Sequence, residues 1–126
     1  MGREKNFSGK TGEKYAVKFL KRRGYKILKT NFRTVFGELD IIARHGDFTV
    51  FVEVKTRISD SLGPPSLSVT RMKQRHIIKN AFAYLKTRSL ADSYWRIDVV
   101  SVKLNSAYEV EHIELIENAV TEEDLQ

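Results

Sequence analysis

The chain lacks cysteine and long apolar runs, and these absences exclude several classes of protein. Without cysteine among its 126 residues, neither a disulfide nor a thiolate metal site can form. No stretch of about 18 apolar residues occurs, so no transmembrane helix is expected. The N-terminal segment carries charge but no apolar region of the signal-peptide type, which together with the missing cysteine favours a cytoplasmic location.

Histidine and glycine are too scattered to form familiar sites. His45, His76 and His112 lack the spacing of metal ligands, which argues against a zinc centre or a histidine-dependent nuclease. The seven glycines are isolated in the chain, so no glycine-rich phosphate-binding loop is expected.

The composition is that of an ordinary globular protein, with 41% hydrophobic and 30% charged residues. This length predicts one domain, which we expect over residues 1–117, followed by a mobile acidic tail at 118–126. Residues 109–126 contain seven acids and neither Lys nor Arg, which leaves 22 basic residues against nine acids before them. The folded body is therefore strongly basic.

Basic residues cluster in two segments of the chain. The clusters are Lys10, Lys14, Lys18, Lys21, Arg22, Arg23 and Lys26, and then Arg71, Lys73, Arg75, Lys79, Lys86 and Arg88. Such a field attracts polyanions, of which nucleic-acid backbones are the commonest large ones. The alternative is that these side chains form solvated helix faces that only keep the protein soluble.

The periodicity of apolar residues predicts a mixed α/β protein. Helical spacing predicts one amphipathic helix from about Thr11 to Gly24 and a second from about residue 68 or 70 to Thr87. Two-residue alternation predicts a hairpin within 37–57 and strands at 95–102 and about 110–116. A short strand or turn is expected at Ile27, and residues 58–66, which contain both prolines, are expected to form a loop. This order predicts a mixed sheet flanked by helices.

The hairpin carries Asp40, Glu53 and Lys55 within its apolar strands. Charges at such positions cost free energy unless they are paired or bind a metal. Glu53 and Lys55 must share a face, because strand side chains two residues apart point the same way. A two-residue turn is expected to place Asp40 opposite Phe51, as a diagonal neighbour of Glu53 on that face.

Two carboxylates and a lysine on one face suit a divalent metal site. Carboxylate oxygens are preferred ligands of Mg²⁺ and Mn²⁺, and a metal-bound water is more acidic than bulk water. Lys55 can contact the attacking water or a phosphate oxygen. The alternative is a cross-strand salt bridge in which Lys55 or Arg57 offsets Glu53. A further strand acid, Asp98, lies close to Arg96 and is interpreted as structural, at a sheet edge.

The pattern Asp40…Glu53-Val54-Lys55 resembles the PD-(D/E)XK signature of restriction-endonuclease-like nucleases, with Glu38-Leu39-Asp40 in place of the proline-aspartate pair. The wider sequence is similar to the small bacterial YraN-like proteins over residues 8–116. That similarity rests on Gly12-Glu13, Asn31-Phe32-Arg33, the segments 37–43 and 51–57, and Arg96-Ile97-Asp98-Val99-Val100. The resemblance implies a restriction-endonuclease-like central mixed β-sheet flanked by α-helices, as in Holliday-junction resolvases.

The resemblance also implies roles for individual residues. Its position alone makes Glu13 a helix-dipole partner, but it matches the helix glutamate that joins the strand acids in resolvase-like relatives. The catalytic residues so implied are Glu13, Asp40, Glu53 and Lys55. The implied metal ligands are Asp40, Glu53 and the Val54 carbonyl. The expected nucleic-acid contacts are Lys10, Lys14, Arg57, Arg71, Lys73 and Arg75.

Three functions are compatible with these features. The first is a Mg²⁺- or Mn²⁺-dependent endonuclease that acts on branched or flapped DNA, as a homodimer because a junction has two strands to cut. The second is a module that binds DNA or RNA through the same basic face without cleaving it. The third is a protein-interaction domain in which the acidic tail and the basic body contact a partner or each other.

Overall fold

Seven helices and strands follow one another in the computed structural model, which describes residues 2–58, 70–90 and 93–120, with side chains from residue 9 onward. They are α1 (Gly2–Arg22), β1 (Lys26–Thr34), β2 (Gly37–His45), β3 (Phe48–Ile58), α2 (Arg71–Thr87), β4 (Trp95–Leu104) and β5 (Val110–Val120). No helix within these residues is long and apolar enough to cross a membrane.

The five strands form one mixed sheet in the order β1-β2-β3-β4-β5. Strands β1, β2 and β3 form an antiparallel meander. Strand β4 is parallel to β3, as expected for two strands joined through a helix. Strand β5 returns antiparallel to β4. This is the α/β arrangement predicted from the sequence, and it is consistent with a restriction-endonuclease-like fold.

The two helices pack on opposite faces of the sheet. Ala16 and Leu20 of α1 are buried in a cluster with Ile41, Val52 and residues of β4. Helix α2 contributes its apolar side to a second cluster on the other face, made of Ile77, Ile78, Ala81, Tyr84 and Leu85 with Ile42 and Phe51. Each helix therefore covers one face through its apolar stripe, while its basic side remains outside.

Several elements extend further than the sequence indicated. Helix α1 begins at Gly2 rather than near Thr11. Residues 26–34 form a full strand at the sheet edge, where a short strand or turn was expected. Strand β5 continues to Val120, so residues 118–120 belong to the sheet and not to a tail. The predicted loop at 58–66 lies, after Ile58, outside the described residues, as do tail residues 121–126.

The register of the β2–β3 hairpin differs from the prediction. Phe51 lies opposite Ile42, and Ile41 lies opposite Val52. The two-residue turn is at Gly46 and Asp47, because His45 pairs with Phe48, and not one position earlier as the predicted register required. The ladder ends at Ile41 and Val52, so Asp40 lies one residue beyond the last pair. The expected pairing of Asp40 with Phe51 is therefore wrong, although Asp40 and Glu53 still share a face.

Asp98 has a structural role, but it does not lie at an edge. Strand β4 is interior to the sheet and the Asp98 side chain is 0% exposed. Its carboxylate accepts hydrogen bonds from the Tyr25 hydroxyl at 2.7 Å, from Arg96 Nε at 3.0 Å and from the Asn118 backbone N–H at 2.9 Å. Arg96 also contacts His45, whose ring stacks on Tyr25. This network compensates the buried charge.

Helix α1 approaches the sheet most closely at Gly12. A Cβ built on Gly12 would lie 1.8 Å from Thr56 Oγ1 and 2.8 Å from both Thr56 Cβ and Cγ2. Rotating the Thr56 side chain would not remove the clash, because Cβ itself is among the close atoms. The absence of a side chain at Gly12 thus brings the neighbouring Glu13 down to the sheet.

We predict that Gly12→Ala lowers the free energy of unfolding by about 1–3 kcal/mol, because the helix must move away from β3 to admit the methyl group. Thermal or urea unfolding monitored by circular dichroism measures the change. Gly9→Ala is the matched control. No atom lies within 4 Å of a Cβ at Gly9, so there the higher helix propensity of alanine should give a neutral or stabilising effect of up to about 1 kcal/mol. Equal effects at the two glycines would contradict the close packing of α1 on β3.

Candidate metal centre

The site lies where β2 and β3 separate. Pairing between these strands ends at Ile41 and Val52. Beyond that point β2 pairs only with β1, and β3 continues beside β4. Asp40 lies in the gap, and its Oδ2 accepts a hydrogen bond of 2.8 Å from the Val54 backbone N–H. A carboxylate thus replaces the backbone carbonyl that would otherwise satisfy this N–H.

Three carboxylates from two elements converge at this gap. Oxygen atoms of Glu13, Glu38 and Asp40 all lie within 4.8 Å of one another. Glu38 and Asp40 are two residues apart on β2, and Glu13 reaches them from α1. All three side chains are half-buried. The spacing is short enough for a single cation to contact all three groups.

Glu53 completes the acidic cluster from β3. Its side chain is 6% exposed, and Oε1 forms an ion pair with Nζ of Lys73 on α2. The Glu53 carboxyl group is close enough to Asp40 to affect the pKa of Asp40.

Burial is the main reason why the pKa of Asp40 is raised to about 8, and the charge of Glu53 adds to it. The N–H of Val54 acts in the opposite direction, while Glu13 raises the pKa a little further. Burial also raises the pKa of Glu13, and a hydrogen bond with the Asn31 side chain partly offsets that effect. Clustered acids of this kind favour either a shared proton or a bound cation.

Lys55 is partly buried beside the cluster. Burial lowers the pKa of its ammonium group, and the neighbouring charge of Lys73 lowers it further, while Glu53 opposes the shift. The site therefore contains two lysines whose charges interact with each other and with Glu53. A cross-strand salt bridge of Glu53 with Lys55 or Arg57 had been the alternative to a metal site, and the structure shows in addition an ion pair of Glu53 with the helical Lys73.

An open cavity of about 210 Å³ adjoins the acids on the α2 side. It is lined by Phe36, Gly37, Glu38, Asp40, Glu53, Lys73, His76, Ile77 and Asn80. A second concave surface of about 440 Å³ runs between α1 and β1. We call it the basic groove; it is lined by Lys10, Glu13, Lys14, Val17, Lys18, Lys21, Thr30 and Asn31. Glu13 lines the groove and also belongs to the acidic cluster, so the two are contiguous.

The structure brings together the four predicted catalytic residues, Glu13, Asp40, Glu53 and Lys55. Among the predicted nucleic-acid contacts, Lys10 and Lys14 line the basic groove, Arg71 and Arg75 are exposed on α2, and Arg57 is partly buried at the end of β3. Lys73, also predicted as a contact to nucleic acid, forms an ion pair with Glu53. The Val54 carbonyl stays a prediction, since the structure shows only its N–H in use at the site.

Glu38 is the site residue that was not predicted as a ligand. Glu38 could have been predicted from strand parity, because side chains two residues apart on one strand point to the same side, as those of residues 38 and 40 do. In the structure the Arg33 guanidinium also contacts Glu38, at 3.0 Å.

The donor set fits a hard divalent cation. Carboxylate oxygens from Glu13, Glu38, Asp40 and Glu53 are the ligands that Mg²⁺ and Mn²⁺ prefer, and no sulfur or imidazole is among them. The Val54 N–H holds Oδ2 of Asp40, which leaves Oδ1 for a cation. Fold and site together describe an α/β protein, consistent with a restriction-endonuclease-like fold, that has an acidic cluster where two central strands diverge.

Comparison with known proteins identifies the family. The sequence profile of the uncharacterised protein family UPF0102 matches residues 12–102. A UPF0102 protein from Caldicellulosiruptor saccharolyticus is 48% identical over 111 residues, which cover 88% of this chain and 94% of that protein. A UPF0102 protein from Geobacter metallireducens is 48% identical over 106 residues, or 83% of this chain and 87% of that protein. The chain therefore belongs to the UPF0102 family, which confirms the YraN-like resemblance.

We predict that Asp40→Asn stabilises the protein in EDTA, by about 1–3 kcal/mol near pH 8. The pKa of Asp40 is raised in the folded state. Between about pH 4 and pH 8 the folded protein therefore keeps the Asp40 proton, whereas the unfolded chain has already lost it. The stability of the wild type should therefore fall as pH rises through this range. Asparagine cannot ionise and still accepts the Val54 hydrogen bond.

Thermal unfolding of both proteins between pH 4 and pH 9 tests this expectation. The gain in melting temperature should be near zero at the acidic end and largest above about pH 8. Asp47→Asn, in the exposed turn of the same hairpin, should show no such trend. A destabilised Asp40→Asn at high pH would contradict the crowding of carboxylates at the gap.

Proposed function

We propose that this protein is a metal-dependent endonuclease that hydrolyses phosphodiester bonds in structured DNA, with a resolvase-like PD-(D/E)XK site. The observation that carries the proposal is the convergence of Glu13, Glu38 and Asp40 within 4.8 Å, beside Glu53 and Lys55, at the gap between β2 and β3. Contiguity of this cluster with the basic groove adds support, because a groove with lysines attracts a phosphate backbone.

Each part of the site has a role in this reaction. Asp40, Glu53 and Glu13, together with Glu38, would hold Mg²⁺ or Mn²⁺, which would supply an acidified water molecule and neutralise charge on the phosphate. Lys55 lies beside Glu53, where its ammonium group orients the attacking water or stabilises the developing charge on a phosphate oxygen. Burial and the charge of Lys73, which lower the pKa of Lys55, make proton exchange by its ammonium group easier.

A homodimer follows from the geometry of a branched substrate. One small site cuts one strand, so resolution of a junction requires two copies of the chain. The proposed partners are therefore DNA and a second copy of the protein.

The ion pair between Lys73 and buried Glu53 favours a second candidate function, a nucleic-acid-binding module that does not cleave. In this alternative Lys73 permanently neutralises a carboxylate that would otherwise bind metal. Binding would then depend on the basic groove alone and would need no divalent cation.

Cleavage assays distinguish the two functions. Labelled junction, flap and single-stranded DNA should be cut in the presence of Mg²⁺ or Mn²⁺, and Asp40→Asn or Lys55→Ala should reduce the rate at least about a hundredfold while DNA binding is retained. Asp47→Asn serves as the control and should cleave as the wild type does. Equal behaviour of all four proteins on the substrate panel would refute the nuclease proposal.

Titration with Mn²⁺ by calorimetry tests the site without a substrate. The wild type and Asp47→Asn should bind the ion, and Asp40→Asn should bind it much more weakly. Binding of Mn²⁺ without any cleavage would refute the reaction but retain the metal centre. If Asp40→Asn and the wild type bind Mn²⁺ with equal affinity, the ion binds at another site.

Replacement of Lys14 and Lys18 by alanine tests the basic groove. The slope of log affinity against log salt concentration should decrease by about one to two units, because each lysine that contacts a phosphate releases about one counterion. Fluorescence anisotropy over a salt series measures this slope. Lys103→Ala is the control, since Lys103 on β4 pairs with Glu111 and does not line the groove. An unchanged slope in the double variant would exclude the groove as the path of the backbone.

A further inference from the structure

Two consecutive apolar residues protrude at the turn between β1 and β2. Val35 is 95% exposed and Phe36 is 44% exposed. We call these two residues the hairpin tip. Exposing apolar side chains to water is unfavourable, and adjacent exposed apolar residues at a defined position commonly mark a binding surface.

Hydrogen bonds hold the hairpin tip in a fixed position. The Phe36 backbone N–H donates to Thr34 Oγ1 at 3.0 Å, and the Thr34 hydroxyl donates to Oδ1 of Asn80 on α2. Asn80 is 1% exposed and donates in turn to the His76 carbonyl. The turn is therefore fastened to the buried side of α2, so the exposure of the Phe36 ring is not a consequence of a loose loop.

Phe36 borders the proposed metal centre. It lines the same cavity of about 210 Å³ as Asp40 and Glu53. Lys79 Nζ lies 5.9 Å from the centre of the ring, within the range of a cation–π contact. An aromatic surface and a positive charge thus stand together at the mouth of the acidic cavity, which is the combination that binds single-stranded nucleic acids.

We propose that the hairpin tip is a stacking platform for an unpaired nucleobase next to the bond that is cut. The inference rests on the proposed function and specifies its substrate class: DNA with a single-stranded segment at the site, as in flaps, forks and open junctions. The Phe36 ring stacks on the base, Val35 contacts its edge or the sugar, and Lys79 contacts the adjacent phosphate. Bases in a continuous duplex are already stacked on their neighbours and are not available to the ring.

Size and charge favour a nucleobase over a second copy of this chain as the occupant. The tip consists of two side chains, whereas a stable protein interface buries roughly 1,200–2,000 Å² in total. Lys79 lies over the Phe36 ring, and the highly exposed Arg33 on β1 pairs with Glu38, which is less exposed. Two such surfaces would repel each other, while a phosphate backbone would be attracted.

Equilibrium binding in EDTA tests this proposal without requiring cleavage. The probes are an oligothymidylate of about 12 nucleotides and a blunt duplex of the same length, followed by fluorescence anisotropy. Phe36→Ala should weaken binding of the single strand about tenfold, since one stacked base is lost, and change duplex binding less than about twofold. Phe36→Trp should retain the affinity because it preserves an aromatic face.

Phe82→Ala is the matched control. Phe82 is 47% exposed on α2, but it packs against Trp95 and does not line the cavity. The Phe82→Ala variant should bind the single strand and the duplex with the affinities of the wild type. Melting temperatures of the Phe36 variants should stay within a few degrees of the wild type, since the ring is largely exposed.

Two results would overturn the proposal. One is an equal loss, or no loss, of affinity for single strand and duplex in Phe36→Ala. The other is a shift from dimer to monomer in light scattering for this variant, which would assign the tip to self-association. Binding is measured in EDTA and does not depend on cleavage. A loss of affinity for the single strand alone in Phe36→Ala therefore supports the stacking platform even if the protein does not cleave DNA. Cleavage without this selective loss supports only the nuclease.

Discussion

The arrangement of the site depends on the separation of β2 from β3 at Asp40. Where the ladder stops, the Val54 N–H has no carbonyl partner on β2, and the Asp40 carboxylate takes that place at 2.8 Å. This one hydrogen bond fixes the rotamer of Asp40 inside the sheet. The gap between the two strands leaves space for Glu13 from α1 and for Lys73 from α2. A regular hairpin would have closed this space with backbone hydrogen bonds.

The same arrangement has an energetic cost. Four carboxylates crowd into a half-buried gap, and burial together with mutual repulsion raises the pKa values of Asp40 and Glu13. Crowding of carboxylates in the gap lowers the free energy of unfolding, as is common where charged groups are clustered. The compensation comes from Lys73 at the site and from the apolar clusters on both faces. The buried network around Asp98, in contrast, has every carboxylate contact satisfied and serves the fold.

Two surface features, the basic groove and the hairpin tip, border the acidic cluster. The basic groove leads to it from the α1 side, and the hairpin tip borders it on the α2 side. In the proposed function, a nucleic-acid strand is held by its phosphates along one side of the cluster and by a base on the other. The two contacts differ in physical character, because the first is electrostatic and depends on salt, while the second depends on an aromatic face.

The sequence by itself determined the element order, the mixed sheet and the shared face of Glu53 and Lys55, because apolar periodicity and strand parity are local properties. It could not determine the register, since a shift of one residue in the position of the turn placed Ile42, and not Asp40, opposite Phe51. Glu13 was predicted only through family resemblance. Glu38 and the partner of Lys73 were missed altogether. Those contacts join segments that are distant in the chain, and only packing of both helices on the sheet brings them together.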